Sequence, residues 1–170
     1  MTKQTDRILR VDQAGEFGAV RIYDGQLAVM GDRAPHAREV QAMAAQEQGH
    51  RRRFDAMVAE RGVRPTALGP LWSAAGYALG AATALIGPEA AMACTAAIET
   101  EIDRHYTQQL DELGDSDPEL AATITEFRDH EREHRQAALD AGAERAPAYP
   151  LLSGAIRLGC RLAIRLSERI

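Results

Sequence analysis

At 170 residues, with 45% hydrophobic and 26% charged positions and a formal net charge of -5, the chain holds material for one packed domain and too little for two. Acids outnumber bases by 25 to 20 and no basic cluster stands out, which excludes the electrostatic footprint of a nucleic-acid binder. Cys94 and Cys160 lie far apart and form no Cys-x-x-Cys, so a disulfide-built secreted fold is also excluded.

Aromatics make up only 5% of the chain, β-branched residues are sparse, and Ala, Leu, Arg and Glu dominate, a balance that predicts an all-α fold. Residues 1–10 are polar and lack the apolar stretch of an export signal. The first helix is expected over residues 5–30 and carries Glu16, flanked by Gly15 and Gly18, with Tyr23 two turns further along the same face. After a break at residues 31–35, a second helix over 35–61 carries Glu47 and His50, with Gly49 between them. Glycine inside a helix costs about 1 kcal/mol against alanine. Gly15, Gly18 and Gly49 therefore serve either close helix packing or room for a ligand.

No charged residue occurs from Pro65 to Pro88. That is long enough to span a bilayer, but Ala and Gly dominate and Pro70 interrupts it, so a shorter accessory helix over residues 71–86 is the better reading. Pro88 and Glu89 open a fourth helix over residues 88–113 carrying Glu99, His105 and Tyr106, and Asp117-Pro118 opens a fifth over 118–141 carrying Glu131 and His134. The last helix, residues 151–168, places Arg157, Arg161, Arg165 and Arg169 at intervals of four, opposite Leu151, Leu152, Leu158, Leu162 and Leu166. It reads as a basic amphipathic helix suited to an anionic membrane or to packing with a solvated arginine face. Four long helices plus two accessory ones, within one domain over residues 1–170, give an antiparallel four-helix bundle.

Two Glu-x-x-His motifs, Glu47 to His50 and Glu131 to His134, each follow a lone glutamate, Glu16 by 31 residues and Glu99 by 32. The midpoints of these intervals fall at Gly31-Asp32 and at Asp115, the two expected turns. Residues equidistant from the turn of an antiparallel helix hairpin lie at one height, here ~23 Å from the turn. Residues three apart share a helix face, so each motif directs a carboxylate and an imidazole at one point. Glu16, Glu47, His50, Glu99, Glu131 and His134 are therefore the expected metal ligands. The pattern resembles ferritin-like di-iron and di-manganese bundles, and four bridging-capable carboxylates suit two iron ions better than one zinc. A competing reading takes His130, Glu133 and His134 as an inverted zinc-peptidase motif, but it leaves Glu16, Glu47, His50 and Glu99 without a role. A ferritin-like iron storage or detoxification protein would use the same six ligands. A peroxidase of the rubrerythrin type would carry a further cysteine quartet.

Five stretches resemble the flavin-independent demethoxyubiquinone hydroxylases: R-V-D-Q-A-G-E-F-G-A from Arg10, V-R-P-T with P-L-W ending at Trp72, A-M-A-C-T from Ala91, E-R-E-H from Glu131, and C-R-L-A-I-R-L-S-E-R from Cys160. The resemblance implies a di-iron monooxygenase of ubiquinone biosynthesis that uses O2 and places its metals on the same six residues. It further implies that His105 and Tyr106 relay reducing equivalents from NADH, and that the substrate is a polyprenylated quinone intermediate. A lipid-binding partner protein and a homo-oligomer are also expected. So is peripheral attachment to the cytoplasmic face of the cell membrane, or to the matrix side of the mitochondrial inner membrane in a eukaryote.

Overall fold

A computed structural model describes residues 3–170 as six α-helices and one turn of 3-10 helix, Ala143–Arg145, with no strand among them. The helices are α1 (Lys3–Met30), α2 (Ala37–Glu60), α3 (Gly69–Ile86), α4 (Pro88–Leu113), α5 (Pro118–Asp140) and α6 (Tyr149–Ser167). Met1 and Thr2, part of the polar N-terminal stretch, lie outside the described residues. α1 and α2 form one hairpin, α4 and α5 the other; α3 packs chiefly on α1 and α6 chiefly on α4. The all-α class expected from composition and the ferritin-like bundle expected from the Glu and Glu-x-x-His spacing are the ones observed.

The turns follow backbone chemistry. Gly31 and Gly114 end α1 and α4 with positive φ angles of 65° and 48°, a region that side chains with a Cβ rarely enter. Asp117 accepts the amide of Leu120 at 3.1 Å and so caps α5, with Pro118 at its first position. Arg61, at the end of α2, donates to both Asp117 and Glu119 and ties the ends of the two hairpins together.

Two apolar plugs fill the bundle. At one end Ile8, Leu9, Phe54, Met57, Leu120, Ile124 and Phe127 cluster; at the other Tyr23, Val40, Met43, Met92 and a set of alanines do so. Between them lies a layer built from Glu16, Glu47, Glu99 and Glu131, each at most 3% exposed.

Two glycines of α3 have a packing role. A Cβ at Gly80 would sit 1.9 Å from the Ile22 carbonyl oxygen, one at Gly76 would sit 2.8 Å from that of Gly18, and one on Gly25 of α1 would sit 2.2 Å from that of Tyr77. Backbone meets backbone along the α1–α3 crossing, which only glycine permits. No helix of the described residues is long and apolar enough to cross a membrane.

The outward arginine face expected for α6 is corrected at two positions. Arg157 and Arg161 turn inward and donate to Glu101 at 2.6 and 2.8 Å, while Leu151, Leu158, Leu162 and Leu166 are exposed. The reason is Glu101, a 2% exposed carboxylate on α4 that would be strongly destabilising without cationic partners.

Gly80→Ala should lower the midpoint of thermal unfolding by the equivalent of about 1–3 kcal/mol through overpacking. Gly154→Ala, whose added Cβ meets nothing within 4 Å, should raise stability by up to about 1 kcal/mol. Calorimetry of the two variants checks both signs.

Candidate metal centre

All six residues singled out by hairpin spacing meet at one level, and all are buried. Their donor atoms form two groups, Glu16 with Glu47, His50 and Glu131, and Glu47 with Glu99, Glu131 and His134; within each group the atoms lie within 4.8 Å of one another. Glu47 and Glu131 belong to both groups. Each Glu-x-x-His works as its spacing requires. His50 Nδ1 lies 3.7 Å from Glu47 and 3.2 Å from Glu131, and His134 Nδ1 lies 3.4 Å from Glu131 and 3.2 Å from Glu47.

Whether these groups fit a metal pair is tested by the atoms they leave unpaired. Glu16 Oε2, Glu47 Oε1, His50 Nδ1, Glu99 Oε2, both Glu131 oxygens and His134 Nδ1 are buried without a hydrogen-bond partner. Every one of the six residues contributes at least one such atom, and a buried polar atom left unpaired is destabilising by several kcal/mol at most sites, about 2–7 depending on reference. Four carboxylates and two divalent cations sum to zero charge. The donor set, hard oxygens with two imidazoles, fits iron or manganese.

The tyrosines complete a pseudo-twofold arrangement across the hairpins. Tyr23 of α1 donates to Glu99 Oε1 of α4 at 2.8 Å, and Tyr106 of α4 donates to Glu16 Oε1 of α1. Burial and the adjacent carboxylates push both phenols well above their ordinary range, so both remain donors.

The protein groups by themselves balance charge with protons. Burial and neighbouring carboxylates raise Glu16 and Glu99 well above the usual range. Burial alone would lower the two histidines, but the carboxylates against Nδ1 outweigh it and push His50 up to about 12 and His134 to about 9.

His105 sits apart from this cluster, beside Tyr106 in sequence. Burial and then Arg7 lower it to about 4, so it is neutral at pH 7. Gln109 Nε2 donates to Asp12 Oδ1 at 2.7 Å and meets His105 Nε2 at 2.8 Å. An amide nitrogen only donates, so His105 Nε2 accepts and Nδ1 carries the proton. Sequence reasoning passed over Asp12 and Gln109, although each stands one helical turn from a residue it did select, Glu16 and His105.

A cavity of about 610 Å³ lies between α1, α3, α4 and α6, and Glu16, His105, Tyr106 and Trp72 are among its lining residues. Gly15 and Gly18 also line it, and a Cβ at either would meet no atom within 4 Å. These glycines therefore make room, whereas Gly25, Gly76 and Gly80 permit packing. Gly49 lines a smaller crevice of about 400 Å³ between α2 and α5. The zinc-peptidase grouping does not assemble, since Glu133 is exposed and His130 joins neither donor group.

Residues 3–167 match the family described as Ubiquinone biosynthesis protein COQ7. Among curated relatives, the chain is 59% identical over 165 residues to a 3-demethoxyubiquinol 3-hydroxylase of Rhodospirillum rubrum, covering 97% of this chain and 78% of the relative. It is 51% identical over 169 residues to the mitochondrial NADPH-dependent 3-demethoxyubiquinone 3-hydroxylase of Homo sapiens, with 97% and 77% covered. The mitochondrial 5-demethoxyubiquinone hydroxylase of Saccharomyces cerevisiae is 44% identical over 181 residues, with 97% and 78% covered. The human relative's name specifies NADPH, where the sequence resemblance implied NADH.

The raised carboxyls and imidazoles set a sign for stability in chelator-treated protein. A group whose folded pKa lies above its unfolded value contributes stability that is complete below the unfolded value and is lost as pH rises toward the folded one. Chelated protein should therefore lose thermal stability progressively from about pH 5 upward, through His134 near pH 9 and on toward His50 near pH 12. Glu99→Gln, which keeps an acceptor for Tyr23 and removes the titrating carboxyl, should flatten that decline, and melting curves across the range check it.

Proposed function

The chain belongs to the COQ7 family of ubiquinone biosynthesis proteins, and from that premise we propose that it hydroxylates the ring of a demethoxyubiquinone-type intermediate, using O2, a di-iron centre and a reduced nicotinamide nucleotide. The observation that carries this reading is the juxtaposition of the six-residue cluster with the apolar cavity, which share Glu16. An iron-storage protein with the same ligands has no use for a cavity of that size against the metals. Its volume falls in the range of small-molecule sites, about 300–1,000 Å³, and its apolar walls suit a lipid-like quinone.

Glu16, Glu47, His50, Glu99, Glu131 and His134 would hold the two irons, Glu47 and Glu131 being common to both donor groups. Bound there, the irons supply the oxygen activation that amino-acid side chains lack. The chain's own part is positional. Tyr106 holds Glu16 through its phenolic hydrogen bond at the edge of the cavity. Neutral His105, oriented by Gln109, offers the cavity wall a polar group able to exchange a proton with a quinol ring. Trp72 of α3 donates its indole N–H to Ser167 of α6 at 2.9 Å, and both line the cavity, so this bond ties the two helices together at its wall.

The leucines exposed on α6, together with Leu71, Tyr77, Leu85 and Ile86 on α3, support docking on a membrane surface from which a long-tailed quinone could enter between the same two helices. The bundle thereby associates peripherally with the membrane that carries its substrate. An accessory lipid-binding protein fits the same exposed surface.

Iron-loaded protein given a demethoxyquinone, a reduced nicotinamide nucleotide and O2 should yield a product heavier by one oxygen atom in mass analysis. No ring hydroxylation with the iron intact would contradict the proposal. The chain's single tryptophan, Trp72, lines the cavity, so a short-chain quinone should quench its fluorescence saturably. Gly18→Leu should obstruct the cavity and weaken that binding roughly tenfold or more, the equivalent of about 1.4 kcal/mol, while leaving iron uptake in place.

A further inference from the structure

The two imidazoles of the cluster are held differently on their outer sides. His50 and His134 both turn Nδ1 toward the carboxylates. A neutral imidazole that offers one nitrogen to a cation carries its proton on the other, so each Nε2–H requires an acceptor. For His134 the acceptor is the amide oxygen Oε1 of Gln46 at 3.0 Å. For His50 it is another imidazole, Nδ1 of His130, also at 3.0 Å.

The His50 and His130 planes lie within 2° of each other, with centroids 5.2 Å apart. One N···N hydrogen bond plus two ring radii accounts for that separation, so the rings lie edge to edge in a common plane, the best geometry for N–H···N bonding. Phe127 covers the face of His50, with centroids 3.9 Å apart and planes 22° off parallel. One neighbour fixes the edge of the His50 ring and the other its face. Both outer acceptors, Gln46 and His130, line the α2–α5 crevice, which is formed by helices other than the four that enclose the apolar cavity.

We propose that His130 is a positioning residue for the metal pair: by accepting the His50 Nε2 proton it fixes the tautomer that presents Nδ1 to one ion, and makes that ion chemically distinct from the one beside His134. The proposal rests on the reading of the six residues as holders of two irons. An imidazole nitrogen is a stronger base than an amide oxygen. It draws harder on the N–H and leaves His50 Nδ1 the more electron-rich of the two nitrogen donors. His130 itself then carries its proton on Nε2. Its spacing of four from His134, which suggested a shared zinc, instead places it one turn along α5, behind the opposite imidazole.

The test is Mössbauer spectroscopy of the full chain loaded anaerobically with isotopically enriched ferrous iron, alongside an iron-binding titration. Wild-type protein should show two ferrous environments of equal area. His130→Leu should move one set of lines, leave the other in place, and weaken the binding of one of the two ions about tenfold or more. His130→Gln, which can offer a carbonyl oxygen to His50, should return the affinity to within a few-fold of wild type. Gln46→Leu should move the other set of lines. Should His130→Leu fail to fold, His130→Ala takes its place. Unchanged lines and affinity in the leucine or alanine variant, or equal movement of both sets, would overturn the assignment of His130. Wild-type protein that binds no iron pair would instead remove the metal reading, and this proposal with it.

Discussion

Four carboxylates in one dry layer of a helix bundle repel one another and lose their hydration, and every other feature of this molecule stands in some relation to that constraint. Glu16, Glu47, Glu99 and Glu131 are each at most 3% exposed, and among the described residues the basic side chains paired with the layer are His50 and His134. Compensation comes from the two histidines and from protons when the protein is alone, and in the proposed metal-loaded form it would come from two cations. The apolar plugs above and below the layer keep the helices together in spite of it. Stability is thereby concentrated at the two ends of the bundle and chemistry at its middle.

The hairpin geometry explains why so much of the layer was legible in the sequence. Two ligand intervals of nearly equal length, centred on glycine-marked turns, leave few ways for the six residues to lie apart. The tyrosines obey the same symmetry, since each stands seven residues after a lone glutamate and reaches across to the other one. Helix periodicity was enough to place them on the right face, but the choice of partner, Glu99 for Tyr23 and Glu16 for Tyr106, depends on how the hairpins face each other.

What periodicity could not reveal are contacts decided by helices far apart in sequence. The arginines of α6 look outward on a helical projection, and only the buried Glu101 of α4 explains why Arg157 and Arg161 turn inward. The glycines of α3 gain their meaning only from the α1 backbone that packs against them. Gly15 and Gly18 are the opposite case, with open space where a side chain would go. His130 reads in sequence as part of a motif with His134, yet its hydrogen bond runs to His50 on another helix. Sequence spacing speaks for one helix at a time; function here comes from the faces that several helices share.

Those faces divide the labour around the layer. α1, α3, α4 and α6 enclose the cavity proposed to receive the quinone ring, while α2 and α5 provide Gln46 and His130 on the outer sides of the two imidazoles. Two ions held by the six residues are the premise of the proposed chemistry. Anomalous diffraction at the iron absorption edge, from crystals of the iron-loaded chain, locates them directly. The expected result is two peaks, one bounded by Glu16, Glu47, His50 and Glu131 and the other by Glu47, Glu99, Glu131 and His134. A single peak at His130 and His134, or no peak within the layer in protein that carries iron, would contradict it.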